Sequence, residues 1–99
     1  MQGTRLYPGR EATEEESSTL DDKVPGSFWY QGPLSGWHCV TPNGLHGWLK
    51  KHKVIEHEDG MISVLPPGPG EPANSILVGN GTGNKSWHGW IYHGEWRIC

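Results

Sequence analysis

A chain of 99 residues that is 33% hydrophobic has room for one small core, and 15 Gly with 8 Pro exclude long helices in favour of frequent turns. The net charge is −3, all of it within residues 1–26, where Arg5, Arg10 and Lys23 meet Glu11, Glu14, Glu15, Glu16, Asp21 and Asp22, so there is no basic stripe of the kind a nucleic acid needs. No apolar run approaches a membrane span and no basic-then-apolar leader opens the chain, which points to a cytosolic origin.

Residues 1–26 are polar and follow neither a helical nor a strand period, so they are expected to form an N-terminal arm separate from a domain over residues 27–99. Thr13 and Glu16 match a capping box, but no apolar stripe follows, so at most a short helical turn is expected there. Two readings of the arm stand side by side: a disordered tail, or an extended arm that orders on a neighbour through Leu6, Tyr7, Leu20 and Val24.

From Ser27 onward, short aromatic and β-branched runs alternate with turn dipeptides. Asn43-Gly44 separates residues 37–40 from 45–49 and predicts a hairpin closed by a two-residue turn. Asp59-Gly60 and His93-Gly94 predict two more, between residues 54–57 and 61–65 and between 87–92 and 95–98. Pro66-Pro67-Gly68-Pro69-Gly70 cannot join a ladder and reads as a rigid loop before a strand over residues 75–78.

Along residues 87–92, Trp87, Gly89 and Ile91 share one face while His88, Trp90 and Tyr92 share the other, so a strand apolar on both sides is expected to be central or to pack outward on a partner. His46-Gly47-Trp48-Leu49 and His88-Gly89-Trp90-Ile91 are near copies, read either as pseudo-symmetric strands or as coincidence in a Trp- and Gly-rich chain. The expected fold is all-β: a small antiparallel sandwich or partly open barrel of hairpins with an extended N-terminal arm. Six Trp, three Tyr and one Phe supply most of the bulk for its core, and Trp29, Trp90 and Tyr92 are the aromatic candidates for partner contact.

Candidate chemistry is sparse. Residues 79–86 fall one glycine short of G-x-x-x-x-G-K-[ST], with Asn84 in its place, and strand-like residues follow where phosphate binding needs a helix N-terminus. A hairpin loop is the expectation. Lys50-Lys51-His52-Lys53 reads as a solvated strand end. Cys39, His46 and His88 would form a partial zinc site if the first and last hairpins were neighbours, but tetrahedral zinc wants four ligands. His46 could face Cys39 across its hairpin as a base for a thiol nucleophile, yet no orienting carboxylate accompanies the pair. No catalytic residue and no cofactor are therefore assigned, and exposed Trp rows remain as candidates for stacking on sugars. Cys39 and Cys99 are not a disulfide framework, and their pairing is left open.

Residues 36–98 resemble a family of small proteins of tailed bacteriophages and prophages whose motifs are C-P-x-C-x-x-x-H-G-x-W, a serine-proline strand ending S-[IVL]-L, and C-H-[SG]-[FYW]-[IV]-x-[DN]-G. His38-Cys39 to His46-Gly47-Trp48, then Val64-Leu65-Pro66-Pro67 with Ser75-Ile76-Leu77, and Trp87 to Gly94 stand in these places. Pro42 and Trp87 occupy two of the family's cysteine positions, so the resemblance implies a metal site reduced to Cys39, His46 and His88 and replaced by aromatic packing. It implies no activity. It implies a phage source, in the virion or the infected cytoplasm; the polar arm joined to a compact Trp-rich β domain with apolar residues on both strand faces is what suggests a capsid decoration or cement subunit bound to the major capsid protein or to its own copies. A small metal-binding or regulatory adaptor is the alternative, and a carbohydrate-binding module a further one.

Overall fold

The computed structural model describes residues 1–19, 23–50, 52–65, 76–78 and 86–98. In chain order these form β1 (Thr4–Arg5), α1 (Glu14–Ser18), β2 (Ser27–Tyr30), β3 (Trp37–Val40), β4 (His46–Trp48), β5 (Ile55–Glu56), β6 (Ile62–Ser63), β7 (Ile76–Val78), β8 (Trp87–Tyr92) and β9 (Glu95–Ile98). The fold is all-β. One sheet has the order β1-β2-β3-β4, a second is the β5-β6 hairpin, and a third has the order β7-β8-β9. The predicted loop at residues 66–70, the glycine-rich stretch 79–85, Leu20, Lys51, Ser75 and Cys99 lie outside the described residues.

All three hairpins form where their turn dipeptides lie, with one correction of loop length. The Thr41 amide donates to the Leu45 carbonyl at 2.8 Å and the Gly44 amide to the Thr41 carbonyl at 2.8 Å, so the β3–β4 loop has three residues, Pro42, Asn43 and Gly44. Of these only Gly44 is left-handed, at φ 88. Pro42 suits this loop: its ring fixes the angle that the first central position of a type I turn requires, and the glycine then takes the bulge that re-enters the strand. Residues 58–60 repeat this arrangement, with His57 bonded to Met61 at 2.8 Å. The two-residue turn with both central residues left-handed is realised at His93 (φ 44) and Gly94 (φ 83).

β8 is the central strand. β9 lies along one edge, while the other edge takes β7 opposite residues 87–89 and then Val64, which exchanges two bonds with Ile91 at 2.8 and 2.9 Å. Phe28, Cys39, Ile62, Val64, Ile76 and Ile91 are buried together in one core with Trp87 and Trp96, whose rings meet edge to face at 5.1 Å. A second cluster, Ala12, Trp29 and Val40 with Leu6 and Tyr7 against it, fills the opposite face of β2 and β3. Tryptophan supplies part of this interior as expected: Trp29, Trp87 and Trp96 are buried, whereas Trp48 is 53% exposed.

The expectation of a separate N-terminal arm is corrected. The Trp96 amide donates to the Met1 carbonyl at 2.8 Å and the Gly3 amide to the Gly94 carbonyl at 2.7 Å, which places residues 1–3 on the edge of β9. Thr4 then donates to Gly26 at 3.1 Å and Leu6 to Phe28 at 2.9 Å, so β1 runs parallel to β2 on the edge of another sheet. Further on, the Ala12 amide reaches the Tyr30 carbonyl at 2.7 Å, and the capping box at Thr13 and Glu16 opens the one-turn α1. The segment is held mainly through its backbone, whose donors and acceptors carry no side-chain period, and this is why its polar composition concealed it. Gly3 marks the crossover, because a Cβ there would lie 2.7 Å from the Gly94 carbonyl oxygen and 2.9 Å from that of Gly26.

The two His-Gly-Trp copies share an environment: each glycine is buried toward the core at a point with no space for a side chain. A Cβ on Gly47 would sit 2.8 Å from the Cys39 sulfur, and one on Gly89 2.0 Å from the Arg97 carbonyl oxygen. Gly89→Ala must therefore push β9 away from β8, and it is expected to cost roughly 3 kcal/mol in urea unfolding. A loss below about 1 kcal/mol would contradict the pairing of Gly89 with Ile98.

Candidate functional site

Cys39, His46 and His88 do not converge. In the β3–β4 register Cys39 pairs with Gly47, and the thiol points into the core, where burial pushes its pKa up to about 12. His46 pairs with Val40 and lies on the opposite face. His88 pairs with Leu77 and is exposed on the outer face of β8. Loop length explains the difference. A two-residue turn at Asn43-Gly44 would have set His46 on the Cys39 face, and the third loop residue, Pro42, shifts the register by one and turns it over. Among the described residues, no group of three His, Cys, Asp or Glu side chains is placed to hold a metal ion. Cys39 is a buried free thiol, which makes it a packing group and a poor nucleophile.

The same register brings together a cluster that sequence reasoning missed. Trp29, His38 and Trp48 form one row across β2, β3 and β4, with His46 diagonal to His38. Their rings are nearly parallel: His38 lies 5.8 Å from Trp29 and 5.9 Å from Trp48, and His46 lies 6.0 Å from Trp29. A polar chain threads the cluster. The Trp29 indole donates to Ser17 Oγ at 2.9 Å, and Ser17 donates to Gln31 Oε1 at 2.5 Å. Gln31 Oε1 also accepts from Ser35 Oγ at 3.3 Å, and that hydroxyl meets His38 Nε2 at 2.8 Å. His38 Nδ1 and His46 Nε2 are 3.0 Å apart, and the Trp48 indole anchors the Ser35 carbonyl at 2.6 Å.

The electrostatics of this cluster keep both imidazoles neutral. Burial, with the neighbouring His46, lowers the His38 pKa to about 4, and burial with the Lys23 charge lowers that of His46. A base held near 4 takes a proton from a serine hydroxyl poorly at neutral pH, so the serine and the two histidines orient one another more readily than they react. The signal that could have found the cluster was the Pro-Asn-Gly loop, which sets His38, Val40, His46 and Trp48 on one face once its length is read as three.

The residues expected to contact partners divide. Trp29 has no exposed surface, so the folded chain does not offer it to a partner, while Leu6 and Tyr7 are half-buried against the cluster around it. Val24 is exposed, and Leu20 lies outside the described residues. Trp90 and Tyr92 stand on the outer face of β8, where Tyr92 is 56% exposed and neighbouring Leu77 54%. With Arg97, which pairs with Glu95 at 3.0 Å, they line a shallow groove of about 280 Å³. Among the described residues no helix is long and apolar enough to cross a membrane.

Comparison with family models, curated proteins and solved structures gives no match to this chain. The burial of Cys39 has a direct test. Treated with iodoacetamide at pH 8, the native protein is expected to leave Cys39 unmodified in peptide mass spectra until denaturant is added. Alkylation of native Cys39 at the rate of a free thiol would contradict its place in the core.

Proposed function

We propose that this chain is a non-catalytic accessory protein acting by protein–protein contact through the outer face of β7, β8 and β9. The observation that carries the reading is the placement of Leu77, Trp90 and Tyr92 together on that face, with Trp87 and Ile91 on the same strand committed to the core. Aromatic residues flanked by an ion pair such as Arg97–Glu95 have the make-up of a contact patch: rigid rings at the centre and charges at the rim.

The motif resemblance supports a phage setting, and within it a capsid decoration or cement subunit whose partner is a structural protein such as the major capsid protein. In this reading docking belongs to the sheet face, since residues 1–6 are engaged with their own domain. The same groove favours a second reading, carbohydrate binding, because Trp90 and Tyr92 can stack on a sugar ring while Arg97 and Glu95 meet its hydroxyls. The adaptor alternative loses its metal ligands as a group, since Cys39, His46 and His88 point apart.

Mass spectrometry of purified virions is expected to find the chain in many copies. Particles assembled with the Trp90→Ala, Tyr92→Ser double variant should retain it at least about ten-fold less well. Undiminished occupancy by a variant with the parent's circular dichroism would refute the sheet-face contact. Quenching of tryptophan fluorescence by glycans, abolished by Trp90→Ala, would favour the carbohydrate reading instead.

A further inference from the structure

A groove of about 290 Å³ is lined by Arg5, Gly9, Arg10 and Glu11 of the N-terminal segment, Tyr30 of β2 and Glu56 of β5. It shares no residue with the groove at Trp90 and Tyr92, so it stands apart from the contact face proposed above. Four of its lining residues are charged, two of each sign, and their own contacts satisfy them unequally. Arg10 is satisfied: both Glu16 oxygens hold it at 2.8 Å, and its guanidinium lies 4.8 Å over the Tyr7 ring. Arg5 is not. Its side chain keeps only 8% of its surface in water, and its guanidinium lies 4.7 Å over the Trp37 ring. Nη1 carries both of its bonds, to Glu56 at 2.9 Å and to the Gly60 carbonyl at 2.6 Å, while the buried Nε has no partner among the described residues. A buried donor left without an acceptor costs free energy that an arriving oxygen recovers.

The acidic side of the groove is also incomplete. Glu56 uses one oxygen on Arg5, and among the described residues none donates to the Glu11 carboxylate. That carboxylate lies over Gly32, where a Cβ would come within 3.0 Å of Oε2.

We propose that this groove binds a small zwitterion of the α-amino-acid class, its carboxylate held by the Arg5 guanidinium and its ammonium by Glu11 and Glu56. A simple anion would meet two carboxylates there and a simple cation two guanidinium groups, so a lining balanced in sign favours a ligand that carries both charges. A guanidinium takes a carboxylate best through two parallel N–H donors, and Nε is one of such a pair. Tyr30 gives the ligand side chain an apolar wall. Its ring packs at 5.2 Å against Trp37, so one tryptophan braces both the wall and Arg5. The backbone of Arg5 is fixed in register with Phe28 before any ligand arrives, which lowers the ordering cost of binding. A volume of about 290 Å³ lies at the lower end of the roughly 300 to 1,000 Å³ usual for small-molecule sites, as suits a ligand of this size.

Proton–nitrogen correlation NMR on the full chain tests the site. The reporters are the Arg5 Nε–H and the Gly9 amide, and the references are the amides of Val64 and Ile91 in the core. With the proteinogenic L-amino acids titrated one at a time, at least one should move both reporters saturably with a Kd of about 1 mM or tighter, leaving the references in place. Acetate and methylammonium, which carry one charge each, should bind at least about ten-fold more weakly than that amino acid. Glu11→Gln, at an exposed position, should weaken its binding about ten-fold. Arg5→Lys, which keeps the charge and drops the paired donors, should do the same at the Gly9 reporter, and Glu11→Gln carries the test if this variant does not fold. No saturable shift with any amino acid, equal movement of the references, acetate or methylammonium binding as tightly, or undiminished affinity in Glu11→Gln would each overturn the proposal.

Discussion

The backbone hydrogen bonds of residues 1–6 hold two sheets together that would otherwise present open edges. β9 has β8 on one side and Met1 to Gly3 on the other, and β2 has β3 on one side and β1 on the other. An unpaired row of amides and carbonyls is costly when buried and invites foreign strands when exposed. By crossing from one edge to the next, six residues satisfy both rows, and they also fix how the two sheets face each other across the core of Phe28, Ile91 and Trp96. The Trp96 indole bond to the Gly26 carbonyl at 2.8 Å reinforces the same junction from the side chain. The crossing in turn lets α1 and Ala12 reach Trp29, so burial on the second face of β2 depends on it as well.

Much of this architecture is legible in the sequence where structure is local. Asn-Gly, Asp-Gly and His-Gly mark the hairpins because left-handed backbone conformations restrict residue choice at fixed positions, and Thr13 with Glu16 marks α1 because capping needs those side chains at that spacing. The N-terminal edge strand is not legible, since its partners lie some 20 to 90 residues away in sequence and its bonds come from groups that every residue but proline carries. Composition therefore reported polarity correctly and gave no sign of pairing. Tryptophan as core material was legible in kind, but not which rings would be inside: Trp29 lies in the second cluster and Trp48 half outside, although both sit on the same face of one sheet.

The candidate site shows how one residue of loop length propagates. With Pro42 counted into the loop, Cys39 meets Gly47, and the His46 ring stands beside His38 on the other side of the sheet. The residues that looked like metal ligands from their types became a buried thiol and half of an imidazole pair. Side-chain type suggested chemistry, and register decided which types could meet. Gly47 shows the same dependence from the other side, because the Cys39 sulfur occupies the space its side chain would need.

The two outward faces differ in a way that bears on how the molecule meets others. On the β2–β4 side, the N-terminal segment covers Trp29 and Val40, and a polar chain from Ser17 to His46 fixes that cover in place. On the β7–β9 side, Leu77 and Tyr92 keep more than half their surface in water. An apolar surface in water is a standing free-energy gain for any partner that fits it, whereas a covered one must first lose its cover. In the proposed reading, contact with a partner therefore falls at Trp90 and Tyr92, where no cover has to be displaced first.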